Sequence, residues 1–139
     1  MSYQTIKNYL TRMMKTNGFF EAKKKFNFEN EGENFNNNFI IENVKSELEE
    51  GNTLTTRFFP KRTFVIRIAR KFSETGIQFD YDTLQAKIDA IVQDIHNPDN
   101  YRSDSVRRVQ WTETEVSQVG LYFLANITFS CDDSIAYAG

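Results

Sequence analysis

The chain has 139 residues, which fits one domain large enough to bury a core of its own. Its 17 basic and 19 acidic side chains give a formal charge of −2, and this balance excludes the global basic field that drives non-specific binding to nucleic acid. The single cysteine excludes an internal disulfide, and the absence of a signal-peptide core or membrane-length apolar run indicates a domain that folds in the cytoplasm without contacting a membrane.

The first predicted element is an amphipathic helix over Tyr3 to Thr16. Its apolar residues recur at steps of three and four, Ser2 is placed to cap it, and Gly18 supplies a left-handed stop. Basic residues decorate its other sides, which favours a helix that covers a sheet with a solvated outer face. The apolar residues are Ile6, Tyr9, Leu10, Met13 and Met14.

The next segment, residues 19–50, is predicted to contain an arm or loop. Glu29 to Asn38 collects asparagine, glutamate and glycine, and Phe35 is its only apolar residue. Phe26 and Phe28 alternate just before it in a short stretch that is compatible with a strand. Isolated aromatic residues in a polar segment either pin a loop to its own domain or, in an assembly, anchor it on a neighbouring copy. Both alternatives are open at this point.

Two strands are predicted before the second helix. Phe39 to Ile41 begins a short strand, and Glu42 to Glu50 either continues it or forms a helical turn. Thr63 to Arg70, led by Pro60, is predicted to be a long strand because its apolar residues alternate.

The second predicted helix covers Thr83 to His96, with Asp80 or Asp82 as its cap and Pro98 enforcing its end. Its apolar residues step by four, three and four along one stripe. We expect this stripe to pack on a sheet face that carries Phe123, Ile127 and Phe129. The stripe consists of Leu84, Ile88, Ile91 and Ile95.

A hairpin closes the predicted fold. Its first strand is Val106 to Glu115, with Val109 and Trp111 facing inward, and its turn spans Val116 to Gly120. The second strand, Val119 to Cys131, has the clearest alternation in the sequence. The fold class is therefore α+β, a mixed or antiparallel sheet covered on one face by two amphipathic helices. The residues predicted on the buried side of the second strand are Val119, Leu121, Phe123, Ala125, Ile127, Phe129 and Cys131.

The residues predict no catalytic, cofactor or metal site. His96 is the only histidine, which excludes sites that need two, and it is interpreted as a surface residue at a helix end. Cys131 is interpreted as a buried core thiol. The nearest carboxylate cluster is interpreted as solvated strand ends; it consists of Asp132, Asp133, Glu113 and Glu115.

One basic cluster, Lys23 to Lys25, lies beside Phe26 and Phe28. Aromatic rings next to cations would suit a single-stranded nucleic acid, whose bases stack on such rings. Solvated surface charge is the simpler interpretation of the same residues.

The order of these elements, with the local sequences "DTLQAKIDAIVQDI" and "GLYFLANITFSC", resembles the tail terminator proteins of long-tailed bacteriophages, also described as head-proximal tail completion proteins. The resemblance implies one domain over residues 1–139. It further implies a structural protein without enzymatic activity or cofactor, whose six copies form a ring on the last ring of the tail tube. Such a ring ends tail growth and joins the tail to the head.

The resemblance also implies the partners. These are further copies of the chain in a homohexamer, the tail tube protein, head or neck connector proteins, and genome DNA that passes through the lumen without tight binding. The protein would be assembled in the host cytoplasm and located in the tail or neck of the virion. A baseplate protein, another neck or connector protein, and a monomeric single-strand-binding module are the alternatives.

Contacts between copies or with a partner are predicted for the arm and for the loop Asn97 to Asp104. Deleting Glu29 to Asn38 is expected to weaken assembly and to spare the fold, because the deletion removes mostly polar loop. The predicted contact residues are Phe26, Phe28, Phe35, Phe39, Tyr101 and Arg102.

Overall fold

The computed structural model describes residues 2–28, 34–53, 57–101, 107–132 and 135–136. One mixed sheet carries helices on one of its faces, so the predicted α+β class is confirmed. The elements are α1 Ser2–Thr16, β1 Phe20–Glu21, β2 Asn38–Thr53, β3 Arg57–Lys71, α2 Ile77–His96, α3 Pro98–Tyr101, β4 Arg107–Val119, β5 Tyr122–Asp132 and β6 Ile135–Ala136.

The strands lie in the order β1-β2-β3-β5-β4. Strand β1 runs parallel to β2, whereas the other neighbours are antiparallel, and β6 pairs with the first residues of β3. Strands β1 and β4 are therefore the outermost strands at opposite sides of the sheet. No helix in the described ranges is long and apolar enough to cross a membrane.

Helix α1 agrees with its prediction from Tyr3 to Thr16. All of its predicted apolar residues are buried, and Gly18 ends it with a φ of 87°, in the left-handed region where a side chain would be strained. Ser2 is the first helical residue, and its side chain lies outside the described part. The phenolic hydroxyl of Tyr9 donates to the carbonyl oxygen of Ile95 at 2.6 Å, which ties α1 to the end of α2.

Helix α2 begins at Ile77, six residues before the predicted start at Thr83. The residue at its N-cap is Gly76, which has no side chain to make a capping hydrogen bond. The prediction that Asp80 or Asp82 caps the helix is therefore wrong. The early start escaped the sequence pattern because the buried stripe begins only at Leu84. The predicted end at His96 is confirmed.

The helix-covered sheet face, called the inner face, holds the main core. The four predicted stripe residues of α2 are buried in one cluster with Phe123, Ile127 and Phe129, as predicted. The apolar side of α1 joins the same cluster. Each fully buried aliphatic or aromatic side chain contributes about 1.5–3 kcal/mol of transfer free energy, so this layer dominates stability.

Strand β2 corrects the prediction of an arm or loop over residues 19–50. Residues 38–53 form a strand, so the ambiguous segment Glu42 to Glu50 continues it. Its pairing with β3 runs from Asn38 opposite Ala69 to Leu48 opposite Pro60 and onward past a register shift. The alternation was hidden because β2 lies near a side of the sheet, where polar side chains are tolerated on both faces. Residues 29–33 lie outside the described part.

Strands β4 and β5 form the predicted hairpin with a shorter turn. The turn is Gly120 and Leu121, and Gly120 has a φ of 59°. Val119 and Leu121 were predicted to be buried, but they are 38% and 49% exposed, because β5 begins only at Tyr122. The residues predicted to be buried from Phe123 to Cys131 are all buried, and the alternation holds as far as Phe129, but Ser130, predicted on the other face, is buried as well.

Candidate functional site

The outer face of the sheet, opposite the helices, carries a second and smaller apolar cluster, called the outer cluster. Phe35 is buried there with Ala69 and Tyr122, and Phe26 and Phe28 pack on them half-buried. The ring centres of Phe28 and Tyr122 are 4.8 Å apart, and those of Phe26 and Phe35 are 5.3 Å apart in an edge-to-face arrangement. These rings cover the end of the sheet at which β5 begins.

Hydrogen bonds fix the turn before β2 to the sheet. The backbone amide of Phe35 donates to the hydroxyl of Tyr122 at 3.2 Å, and the amide of Asn37 donates to the carbonyl of Ala69 at 2.8 Å. The amide of Lys71 donates to the side-chain oxygen of Asn36 at 3.0 Å. This turn is therefore part of the fold. Deleting Glu29 to Asn38 would remove these bonds and the buried ring of Phe35, which counts against the expectation that the deletion spares the fold.

The predicted contact residues fall into three groups. Phe39 is 0% exposed in the main core, and Phe35 is buried in the outer cluster, so neither side chain has surface to offer a partner. Both aromatics pin the segment to its own domain, which is the other alternative that the sequence left open. Phe26 and Phe28 keep some exposed surface, so their contact role stays a prediction. Arg102 and the side chain of Tyr101 lie outside the described residues.

Beyond the outer cluster, the middle of the outer face is polar. The guanidinium of Arg67 bonds Glu42 at 3.2 Å through Nε and Asn126 at 3.1 Å through Nη1. This row links β2, β3 and β5 across the sheet. All three residues are partly exposed, so the row is a solvated ladder whose ion pair adds little stability.

The side of the sheet at β1 is basic. Lys23, Lys24 and Lys25 follow β1 after Ala22, and all three are exposed, as is the single carboxylate Glu21 within β1. Phe20, in β1 itself, is 66% exposed beside an open groove of about 360 Å³ that Lys23 and Lys24 also line. Lys23 and Lys25 have no ion-pair partner within the described ranges. We call this surface, Phe20 with Lys23, Lys24 and Lys25, the basic edge.

The opposite side of the sheet, at β4, is acidic. Glu113 and Glu115 are exposed on β4, and Asp89 is exposed on the neighbouring helix α2. None of the three carboxylates has an ion-pair partner among the residues that the structure describes. Trp111 is 45% exposed and borders a groove of about 260 Å³ between β4 and α2. Asp89 and Trp111 line this groove on the helix-covered face, whereas the register sets Glu113 and Glu115 opposite Thr128 and Asn126, on the outer face.

Trp111 was predicted to face inward, and its pairing with Phe129 puts it on the inner face, but 45% of its surface is exposed, which corrects the expectation that it is buried. The residue lies opposite Phe129, whose ring is buried, but β4 is an outermost strand with register shifts on both sides of Trp111. Its side chain lines the groove between β4 and α2, at the border of the core, and so keeps part of its surface exposed. A bulge next to a tryptophan has no signature in a single sequence.

His96 holds the backbone of β4 at this point. Its Nε2 accepts a hydrogen bond from the backbone amide of Trp111 at 2.9 Å, and its Nδ1 lies 2.8 Å from the carbonyl oxygen of Val92. The two bonds require a neutral imidazole with its proton on Nδ1. The lone histidine is thus a link between α2 and β4 and lies half-buried, although it was interpreted as a surface residue.

The cysteine and three of the carboxylates that the sequence singled out lie on β4 and β5. Cys131 is buried, as predicted. Asp132 was interpreted as a solvated strand end, but it is only 5% exposed, and the β3–β5 register places it opposite Lys61, a residue of opposite charge. Asp133 lies outside the described part. Glu113 and Glu115 are exposed, as predicted.

Comparison with known protein families and with curated proteins finds no match for this sequence. The resemblance to tail terminators therefore stays a prediction about function.

Proposed function

We propose that this chain is a structural virion protein of the tail-terminator kind. Copies of it form a closed ring that caps the tail tube, stops its growth and joins the tail to the head or neck. The observation that carries the proposal is architectural. The sheet covered by two amphipathic helices, which the resemblance implies, is the fold of this chain, and its elements follow in the expected order.

The surface supports assembly between identical copies. The outermost strands β1 and β4 are different structures that lie at opposite sides of the sheet. An assembly that joins one side of each copy to the other side of the next is heterologous, and such a contact closes into a ring when the rotation between copies divides a full turn. The ring would have six members, with DNA passing through its lumen.

The single-strand-binding alternative is weakened at Phe26 and Phe28, although Phe20 beside Lys23 and Lys24 keeps an exposed ring. Phe26 and Phe28, the two rings predicted to stack bases, pack against Phe35 and Tyr122 and present only part of their surface. Base stacking needs an open aromatic face. The formal charge of −2 also favours weak DNA binding, which suits a ring through which DNA must slide.

Electron microscopy of the full chain, negatively stained at about 150 mM salt, tests the proposal. Uniform closed rings with a central hole are expected. A separate binding measurement with a single-stranded oligonucleotide should show weak retention that disappears near this ionic strength. A stable monomer that holds the oligonucleotide tightly at high salt would overturn the proposal and favour the nucleic-acid-binding alternative.

A further inference from the structure

We infer that one surface of the chain binds the phosphate backbone of double-stranded DNA weakly. The surface consists of Lys7, Thr11 and Lys15 on α1 together with the basic edge, and we call it the α1–β1 surface. The inference rests on the proposed function, because it names the part of each copy that would face DNA in the lumen of the ring.

Positive charge is concentrated at the start of the chain. Residues 1–28 carry six basic side chains and one carboxylate, Glu21, whereas the other 111 residues carry 11 basic and 18 acidic side chains. The first segment therefore has a formal charge of +5 in a chain whose total is −2. A local excess of this kind attracts a polyanion even when the whole protein is slightly acidic. The structure places these residues on α1 and at the β1 side of the sheet.

The lysines of α1 and those after β1 lie on one continuous surface. Lys7, Thr11 and Lys15 follow one another at steps of four residues, so they share one side of the helix. Lys7 and Thr11 line a groove of about 140 Å³ together with Glu21 and Ala22, which joins α1 to β1. On the other side of β1 the surface continues as the basic edge.

The lysines of this surface are available to a ligand. Lys15, Lys23 and Lys25 are exposed, and Lys7 is half-buried. None of these four has an ion-pair partner within the described ranges. Arg12, also on α1, is not counted, because its guanidinium donates to a carbonyl oxygen of α3 at 2.8 Å. The four ammonium groups therefore exchange only water when they meet a phosphate.

The arrangement of the charges favours a duplex over a single strand. Lys7 and Lys15 are eight residues apart, which corresponds to about 12 Å along α1 at about 1.5 Å per residue. The major groove of B-DNA is about 12 Å wide, so lysines at this spacing can reach phosphates of both strands. A single strand is better held by several open aromatic rings. Among the described rings beside the lysines, Phe20 alone is open, because Phe26 and Phe28 pack half-buried in the outer cluster.

Glu21 limits the strength of the contact. Its carboxylate is exposed and borders both grooves, so it lies between the lysines of α1 and those of the basic edge and repels phosphate. A surface with this interruption binds DNA at low salt and releases it as the charges are screened. Such a contact suits DNA that must slide, and replacing Glu21 should strengthen it.

Fluorescence anisotropy of a labelled duplex of about 20 bp, mixed with the full chain at about 25–150 mM salt, tests the surface. Lys7→Gln/Lys15→Gln and Lys23→Gln/Lys25→Gln should each weaken binding at least about tenfold at about 50 mM salt. Each should also reduce the slope of log affinity against log salt by at least about 2, because each phosphate contact contributes about 1. Glu21→Gln should bind the duplex more tightly than the parent.

Matched controls separate this surface from general effects of charge. Lys45→Gln/Lys71→Gln removes the same charge from exposed positions on β2 and β3, outside the surface, and should bind the duplex as the parent does. A single strand of the same length and a polyglutamate of equal charge should both bind more weakly than the duplex. Thermal melts followed by circular dichroism should show that every variant is folded, and light scattering on the same samples gives their oligomeric state.

The outcomes distinguish this inference from the proposed function. An equal loss in the control variant, or a single strand or polyglutamate that binds as tightly as the duplex, would overturn the inference. If the parent forms rings but binds no duplex at about 25 mM salt, or if the lysine variants keep the parent's affinity, the inference is wrong and the proposed function stands. If a monomeric parent binds the duplex and the lysine variants lose it, the surface is supported and the ring is wrong.

Discussion

The two faces of the sheet are covered in different ways. On the inner face, α1 and α2 bury a continuous layer of aliphatic and aromatic side chains that reaches from Ile6 to Cys131. On the outer face, the outer cluster covers only one end of the sheet, and the middle is the polar row that Arg67 makes with Glu42 and Asn126. The difference separates the part of the molecule that holds the fold from the part whose surface is available for contacts.

The two faces should also differ in how much stability a mutation removes. A fully buried residue of the inner layer loses both its transfer free energy and its packing when truncated. A residue of the outer cluster has partly exposed neighbours that can close over a vacancy, and a residue of the polar row exchanges its partner for water. The loss of unfolding free energy should therefore be largest for mutations in the inner layer, smaller in the outer cluster and smallest in the polar row.

The largest effect is expected from Ile91→Ala on the inner face. Ile91 is 0% exposed in the centre of the α2 stripe, so truncation should lower the free energy of unfolding by about 2–5 kcal/mol. Urea denaturation measures this loss, and Gln93→Ala, an exposed position of the same helix, should stay within about 0.5 kcal/mol of the parent. Equal stability of the parent and Ile91→Ala would contradict the assigned core.

An intermediate effect is expected from Phe35→Ala in the outer cluster. Phe35 is buried, but Phe26 and Phe28 around it keep exposed surface and have room to rearrange, so we expect a loss of about 1–3 kcal/mol. The same urea experiment measures it, with the exposed Phe20→Ala as the matched control. A loss as large as that of Ile91→Ala would show that both faces carry the fold equally and would break the comparison.

The smallest effect is expected from Glu42→Gln in the polar row. The ion pair with Arg67 is partly exposed, so its loss should cost less than about 1 kcal/mol, and the difference from the parent should shrink further in 1 M salt, where charges are screened. Urea denaturation at low and high salt measures both quantities. A larger loss that salt does not reduce would mean that this row contributes to the fold through packing.

The sequence predicts the inner face well because its buried residues recur at the regular spacing of a helix or a strand. The α2 stripe repeats at helical spacing, and β5 alternates from Phe123 to Cys131, so both elements and their mutual packing follow from the pattern. The first turns of α2 show no such spacing, because their apolar residues Ile77, Phe79 and Tyr81 are exposed and lie ahead of the buried stripe.

The outer face and the two edges are harder to predict, because the burial and secondary structure of their residues depend on neighbours that are distant in sequence. Phe35 is buried because it packs with Ala69 and Tyr122, which are distant in sequence, and β2 is a strand because β3 supplies its hydrogen bonds. The exposed fraction of Trp111 depends on the groove between β4 and α2. None of these conditions is written in the local sequence, so the burial of Phe35 and Phe39 and the exposure of Trp111 were not predicted.

The most direct test of the central claim, that identical copies of this chain assemble into a ring, is the molar mass of the full chain in solution. Light scattering after size-exclusion chromatography at about 150 mM salt, where weak surface electrostatics are screened, measures it without labels. We predict a single species of six times the chain mass of 16.3 kDa. A mass of 16.3 kDa that does not rise with protein concentration would contradict the claim.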